Sequence, residues 1–318
     1  MSIDQSVFKQ LSQLLNVDLQ VDPLINLSSI SQLSGQTIVI KYGGNAMTET
    51  YLKNKFAENI ALIQALGLYP IVVHGGGPQI NQALNRLAIP DFFIQGQRVT
   101  DAATMQVVEW ALCGEVQQDI VRLINLACIK QASQLAKGAV GISGADGQLL
   151  LAEPLILSNQ SLTNSSQKNT IHANELGQVG KVVKVNTDIL KTVQNAGFIP
   201  VVTPVASNIV GKAMNINADS VAGAIAIALK ANKLITMTNT LGVLDSSKNL
   251  ITHLNREKIE ALKLDGTLNG GMLPKIDAAL KTSQAGVESV HIIDGRAENA
   301  VLHALFTQSS IGTVIIEK

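Results

Sequence analysis

Aromatic residues make up only 3% of this 318-residue chain, and it has only two cysteines, Cys113 and Cys128. The scarcity of rings calls for an aliphatic core, which a 46% hydrophobic content can supply. Two cysteines this far apart form neither a CxxC pair nor a disulfide scaffold. Both fall in stretches that read as helix interior, which suits a reducing compartment. Net charge is missing too, with 24 basic residues against 24 acidic. A polyanion-binding domain is normally basic, so no nucleic-acid partner is expected. No apolar run approaches 18 residues, and the longest, SVAGAIAIAL, is too short to cross a bilayer, so no membrane partner is expected. The first residues, MSIDQSVFKQLSQLL, lack a basic region followed by an apolar one. A secretory signal is therefore not expected. The expected location is cytoplasmic, or the plastid stroma for an organelle-encoded chain.

Several chemical signatures are also absent. There is no GxxxxGK[ST], no GxGxxG after a strand, no GxSxG, and no His, Cys and carboxylate set at metal-ligand spacing. These absences disfavour a P-loop enzyme, a dinucleotide oxidoreductase, a nucleophile-elbow hydrolase and a metal held by the protein itself.

What is present is a rhythm of short β-rich runs: TIVIK (37–41), PIVVH (70–74), AVGIS (139–143), FIPVVTP (198–204), KLITMT (233–238), SVHIID (289–294) and TVII (313–316). Helical spacing separates most of them. Leu52, Phe56, Ile60, Ile63 and Leu66 share a face in 50–66, and Val107, Trp110, Val116, Ile120 and Ile124 mark a helix or helix pair in 102–125. Segments 219–230 and 274–285 read the same way. Strand, helix, strand at this spacing predicts an α/β fold with a mainly parallel sheet, covered on both faces because its strands are almost continuously apolar. Residues 148–185 break the pattern and read as a long hairpin or flap with arms LLLAEPLIL and VGKVVKV. Residues 1–34 read as an appended extension. An amphipathic helix over about 4–15 leads to a linker through Asp22 and Pro23, then to a polar helix ending at Gly35. Val7, Leu11, Leu14 and Leu15 form too small a face to fold alone, and they predict contact with a partner helix in an oligomer.

Glycines gather at strand ends: Gly43-Gly44 after VIK, Gly75-Gly76-Gly77 after IVVH, and Gly270-Gly271 ahead of Lys275. Ligands of open α/β sheets bind beyond the carboxyl ends of the strands, where bare backbone N–H groups and helix starts suit phosphate. One such turn is equally the default of a tight loop; three, two of them with a lysine, favour an anion site. His74 reads either as a catalyst or as a strand-end residue satisfied by backbone. In MNINAD, Asn215, Asn217 and Asp219 read as helix caps, yet one cap needs one residue. Asp219 is a candidate to orient Lys41 and Lys275 by charge pairing. Arg98, in GQRVTD with Asp101, suits a two-pronged grip on a carboxylate or else a surface ion pair.

The segments KYGGNAM, HGGGPQI, GQRVTD, NINAD, GGMLPK and VHIIDGR, taken in order over about residues 35–316, resemble the amino acid kinase family and its acetylglutamate-phosphorylating branch. The resemblance implies a three-layer sandwich on an open, mainly parallel sheet, carrying an N-terminal helical extension (1–34) for oligomer contacts. An acetylglutamate lobe (35–189) and an ATP lobe (190–318) would follow. It implies phosphoryl transfer from ATP to the side-chain carboxylate of N-acetyl-L-glutamate, on the route to arginine, with Mg2+ held mainly by the nucleotide phosphates. Lys41 and Lys275 would stabilise the moving charge and Asp219 would hold both. Gly43, Gly44 and Gly76 would bind phosphate; Gly76, Gly77, Arg98 and Asn215 would bind the acceptor; Asn239, Gly242, Gly271 and Met272 would lie on the nucleotide side. A homo-oligomer is implied, either a dimer or a hexameric ring of dimers. Arginine-inhibited relatives often end in a segment like ELFTDEGIGT. Here ALFTQSSIGT places Ala304 and Ser310 where they carry Glu and Gly, so weak arginine inhibition or none is expected. Related readings are a kinase for aminoadipate or aspartate, and a catalytically silent amino-acid sensor.

Overall fold

A computed structural model describes residues 5–15, 27–131, 137–158, 170–171, 173–268, 272–307 and 311–317 of the chain. Its spine is an eight-stranded sheet built from β1 (Thr37–Tyr42), β2 (Tyr69–His74), β3 (Ala139–Ser143), β4 (Ile199–Thr203), β5 (Lys233–Thr238), β6 (His253–Leu254), β7 (Ser289–Asp294) and β8 (Gly312–Ile315). The spatial order is β6-β8-β7-β5-β1-β2-β4-β3. Every pairing is parallel except β7 with β8, where Val290 faces Ile315. β1 lies at the centre, in register with β5 (Ile38 with Lys233) and β2 (Thr37 with Tyr69).

Strand alternation divides the core into two layers. Ile38, Ile40 and Tyr42 face one cluster with Phe56, Ile60, Ile120, Ile124 and Val301, while Val39, Ile71 and Val73 face the other with Val221, Ile225 and Ile276. Helices Thr50–Ala65, Gln117–Gln131 and Ala300–Phe306 therefore cover one side, and Ala218–Leu229 and Met272–Gln284 the other. This is the expected three-layer sandwich. Phe56 stacks on Tyr42 with ring centroids 3.7 Å apart, so two of the chain's few aromatic residues brace the end of the central strand.

Three features differ from the sequence reading. The arms of the 148–185 segment do pair antiparallel, with Leu150 opposite Val185 and Pro154 opposite Gly180. They do not form a free flap, however. Strands Val205–Ser207 and Ala213–Ile216 join them in a small closed four-strand barrel. Second, Trp110 is 63% exposed. The buried positions run Val107, Val108, Ala111, Leu112, Val116, and a π-helical turn over Trp110–Val116 leaves Trp110 on the outer flank. Third, Val7, Leu11 and Leu15 on helix Gln5–Leu15 are already buried in the same core as Ile30, Phe56 and Val301, with Leu14 partly covered. Asn299 donates its side-chain amide to the Leu14 carbonyl at 2.7 Å, and Gln131 donates to Gln10 at 2.9 Å. The chain covers this apolar stripe itself, so the stripe gives no reason to require a second copy. Asp22 and Pro23 lie outside the described residues.

Leu11→Ala should loosen this helix by about 2–4 kcal/mol, the usual cost of emptying a buried leucine site. Amide hydrogen exchange over 5–15 should rise equally at low and high protein concentration; loosening that disappears on concentration would put the cover on another copy. A second outcome concerns pH. Burial pushes the His74 imidazole down to about 4, against a weaker opposing hydrogen bond to Gly75. Burial, with Lys233 and His253 adding to it, pushes His291 down to about 3. Unfolded histidine titrates near 6.5, so below that pH the unfolded chain takes up protons that the folded chain refuses. Stability should be whole above pH 6.5 and fall as pH drops through the range down to the folded values. The two groups together should cost about 3–4 kcal/mol between pH 7 and 5. Urea midpoints at the two pH values measure this; equal midpoints would contradict it.

Candidate active site

The carboxyl ends of β1, β2 and β5 meet at one edge of the sheet, and the glycine turns lie there. Lys41, next to last in β1, is 9% exposed, and its Nζ sits 3.2 Å from Asp219 Oδ1. Lys275, in the first turn of helix Met272–Gln284, donates to Asp219 Oδ2 at 3.1 Å. The Lys41 contact is a close ion contact rather than an aligned hydrogen bond, because Oδ1 has no well-directed donor. Burial raises the Asp219 carboxyl, but Lys41 and Lys275 outweigh it and hold the group below the usual carboxylate range.

The three polar residues of NINAD have three separate tasks. Asn217 is the helix cap, its side-chain oxygen accepting from the amides of Asp219 at 2.8 Å and Ser220 at 3.3 Å. With the cap supplied, Asp219 is free to face the lysines from the positive end of the helix dipole. Asn215, on strand Ala213–Ile216, donates to Thr100 Oγ1 at 3.2 Å and lines a cavity of about 180 Å3 with Gly76, Gly77 and Arg98.

Across the lysine pair lies a second cavity of about 450 Å3, lined by Lys41, Gly44, Asn239, Thr240, Met272 and Lys275. The turns after β1 and β5 press together there. Gly44 has φ +74°, and a Cβ on it would run into the Asn239 side chain. A Cβ on Gly43 would stand 2.9 Å from Lys41 Nζ and displace the ammonium. Gly242 is not part of this lining; it packs against Leu250 and Thr313. Gly270 and Gly271 lie outside the described residues. A hollow of about 490 Å3, lined by Lys233, His253, His291, His303 and Ala304, opens at the amino end of β5, away from the two lysines. Ala304 brings no carboxylate to it, though Glu288 does; Ser310 lies outside the described residues.

Arg98 is 8% exposed. Its Nη1 meets Asp91, its Nη2 donates to Asn81 Oδ1 at 2.5 Å, and its guanidinium lies 4.7 Å from the centre of the Phe93 ring. Asp101 takes no part in the cavity; it caps the next helix by accepting from the Thr104 amide at 2.8 Å. Sequence reasoning missed Asp91, Asn81 and Leu112. Asp91 lies in the loop ahead of the Phe93–Arg98 hairpin, and Asn81 lies on helix Gly77–Arg86 one residue past the HGGGPQI segment. Leu112 presses on Gly76 only because of the π-helical turn, which leaves no mark in the spacing.

His74 is fully buried, one layer beneath the Gly75–Gly77 turn. Its Nδ1 is 2.8 Å from the Gly75 carbonyl and its Nε2 is 2.7 Å from Thr203 Oγ1. It is satisfied by backbone and hydroxyl, and the depressed value of about 4 keeps it neutral.

Two anion-friendly cavities flanking a pair of lysines on one carboxylate suit transfer of a charged group between two bound molecules. Comparison with known proteins agrees. Residues 36–294 match the amino acid kinase family. The chain is 48% identical to the acetylglutamate kinase of Verminephrobacter eiseniae over 289 residues, which covers 91% of this chain and 93% of that one. It is also 48% identical to the acetylglutamate kinase of Paraburkholderia phymatum, over 91% of this chain and 92% of the relative. Among solved structures, N-acetylglutamate synthase from Neisseria gonorrhoeae, complexed with coenzyme A and N-acetyl-glutamate, superposes with a TM-score of 0.74 at 24% identity. That match covers 92% of this chain and 62% of the synthase, and it speaks for the fold alone. The chain belongs to the amino acid kinase family, in which its similarity runs to the acetylglutamate kinases.

Proposed function

We propose that the chain transfers the γ-phosphoryl group of ATP to the side-chain carboxylate of N-acetyl-L-glutamate, giving N-acetyl-L-glutamyl 5-phosphate in arginine biosynthesis. The observation that carries the reading is the shared carboxylate of Asp219. It fixes Lys41 and Lys275 between one cavity sized for part of a nucleotide and another that offers Arg98, Asn215 and a glycine turn to an acidic acceptor.

Phosphoryl transfer needs alignment and positive charge more than covalent help. The acceptor carboxylate is already ionised at pH 7, so no general base is needed, and the buried neutral His74 is under no demand to be one. Lys41 and Lys275 stabilise charge on the phosphoryl oxygens. Gly43, Gly44 and Gly76 present backbone N–H groups, and Gly76 and Gly77 lie at a helix start whose first amides have no intrahelical partner. Arg98 has five N–H groups; Asp91 and Asn81 engage one nitrogen each, leaving donors for the acceptor. A Mg2+ ion entering with the nucleotide would be held mainly by the phosphates and would add positive charge there.

Residues 35–189 contribute most of the acceptor side and 190–318 the nucleotide side, though Asn215 crosses from the second half into the acceptor cavity. The reading includes a cytoplasmic homo-oligomer, a dimer or a ring of dimers. Its contacts would come from surfaces other than the apolar stripe of Gln5–Leu15, which the chain covers itself.

A coupled ADP-release assay across acetylglutamate, glutamate, aspartate, aminoadipate and acetylaspartate tests the reading. Turnover should be highest with acetylglutamate; preference for another acid would move the assignment to a related kinase, and silence with all would favour a sensor. In the same assay Arg98→Lys should raise KM for acetylglutamate roughly tenfold or more, because lysine cannot make the two-pronged contact, and should leave KM for ATP near its original value. Equal changes for both substrates would remove Arg98 from the acceptor site.

A further inference from the structure

His74 is a buried strand-end side chain beneath the site that the mechanism above leaves without a task, and its surroundings fix its chemical form. A carbonyl oxygen has no proton to give, so the ring nitrogen facing Gly75 O must be the donor, Nδ1–H. In a neutral ring Nε2 is then an acceptor, and Thr203 must donate its hydroxyl proton to it. That leaves the Thr203 oxygen to accept from Gln117 Nε2, which stands 2.8 Å away and also faces the carbonyls of Ile142 at 3.1 Å and Val201 at 3.0 Å. Gln117 Nε2 shares two protons among these three acceptors, and the Cys113 thiol also meets the Thr203 hydroxyl, so the direction is set at the ring, where the Gly75 carbonyl can only accept. Gln117 reaches this point because Gly141 gives it room; a Cβ there would lie 2.7 Å from its side-chain amide.

The consequence lies on the far side of one peptide bond. In a trans peptide the C=O of residue i and the N–H of residue i+1 lie in one plane and point in opposite directions. Gripping the Gly75 carbonyl from below therefore directs the Gly76 N–H upward, away from the imidazole. Gly76 itself cannot move aside. Leu112 and Val116 of the π-helical turn fill the space where its Cβ would be, and Gly75 is tied to β1 by donating its amide to the Tyr42 carbonyl at 2.8 Å.

We propose that His74 is a positioning residue: as the Nδ1–H tautomer, locked by Thr203 and Gln117, it holds the Gly75 carbonyl and so aims the Gly76 N–H at the phosphoryl group in transfer. The inference rests on the reading that this turn binds the transferring phosphoryl group. It accounts for a histidine kept at the site without any role in proton transfer.

Two substitutions separate the ring nitrogens. His74→Asn keeps a donor near Nδ1 and loses the contact with Thr203. His74→Gln keeps a polar group near Nε2 and loses the donor to Gly75. With folded protein verified by its unfolding transition, His74→Gln should lower kcat roughly tenfold to a hundredfold, the range for a lost or misaimed oxyanion donor, while KM for ATP stays within about twofold. His74→Asn should restore most of that turnover. Wild-type kcat in folded His74→Gln, or equal losses in both variants, would overturn the inference. Nitrogen-15 NMR of the unmodified protein at pH 7 tests the premise without any variant: a protonated Nδ1 and a bare Nε2 are expected, and the opposite tautomer or an imidazolium overturns it. Absence of acetylglutamate-dependent ADP release from the unmodified chain would fell the functional reading and this inference with it, whereas failure of the His74 variants fells this inference alone.

Discussion

Two lysines sharing one buried carboxylate is the constraint on which the site depends. Two ammonium groups brought to one small region repel each other, and neither would stay there without a counter-charge. Asp219 supplies it, one oxygen to each lysine. Its own burial would favour the neutral acid, and the two cations reverse that preference. The three groups are therefore mutually required. Together they keep net positive charge at the point where a phosphoryl group would pass from one cavity to the other, and fixed charges of this kind are what electrostatic catalysis needs.

The topology explains how residues so distant in sequence meet. β1 lies between β5 and β2, so Lys41 emerges between the turn that carries Asn239 and the turn that carries Gly75–Gly77. The short strand of the four-strand barrel ends at Ile216, and the chain turns at once through the Asn217 cap into the helix that presents Asp219. A second helix, starting at Met272, brings Lys275 to the same carboxylate. Beneath the edge, His74, Thr203 and Gln117 join β2, β4 and the long helix that carries the π-helical turn, so the floor of the acceptor cavity is tied to both halves of the sheet's first lobe.

Much of this was legible in the sequence, for physical reasons. A doubly covered parallel strand has to be apolar along its length, so TIVIK, PIVVH and KLITMT declared themselves, and glycines at the carboxyl ends of the first two marked the candidate site. Three polar residues before one helix exceeded what a cap requires, which pointed to Asp219. Other features left no local trace. Closure of the barrel depends on Val205–Ser207 and Ala213–Ile216 finding strands far back in the chain, Ser207 pairing with Leu151 and Asn215 with Val179, a long-range pairing that neither segment encodes alone. Arg98 read either as a carboxylate clamp or as a surface ion pair, whereas it is buried, with Asp91 and Asn81 already on its guanidinium. The N-terminal helix looked like an orphan in need of a partner, and its cover proved to come from residues such as Ile30, Phe56 and Val301 of the same chain, which only the fold brings near.

The central claim is that Asp219 acts through its charge, by holding both lysines. Asp219→Asn keeps the size, removes the negative charge and turns one of the two acceptor oxygens into an NH2 donor facing a lysine, so pre-steady-state phosphoryl transfer with saturating MgATP and acetylglutamate reads the loss of the grip on both lysines. The account predicts a fall in the rate of the chemical step of roughly 10²-fold or more, with much smaller changes in the affinity for either substrate. A variant that binds both substrates and transfers the phosphoryl group at close to the original rate would contradict it.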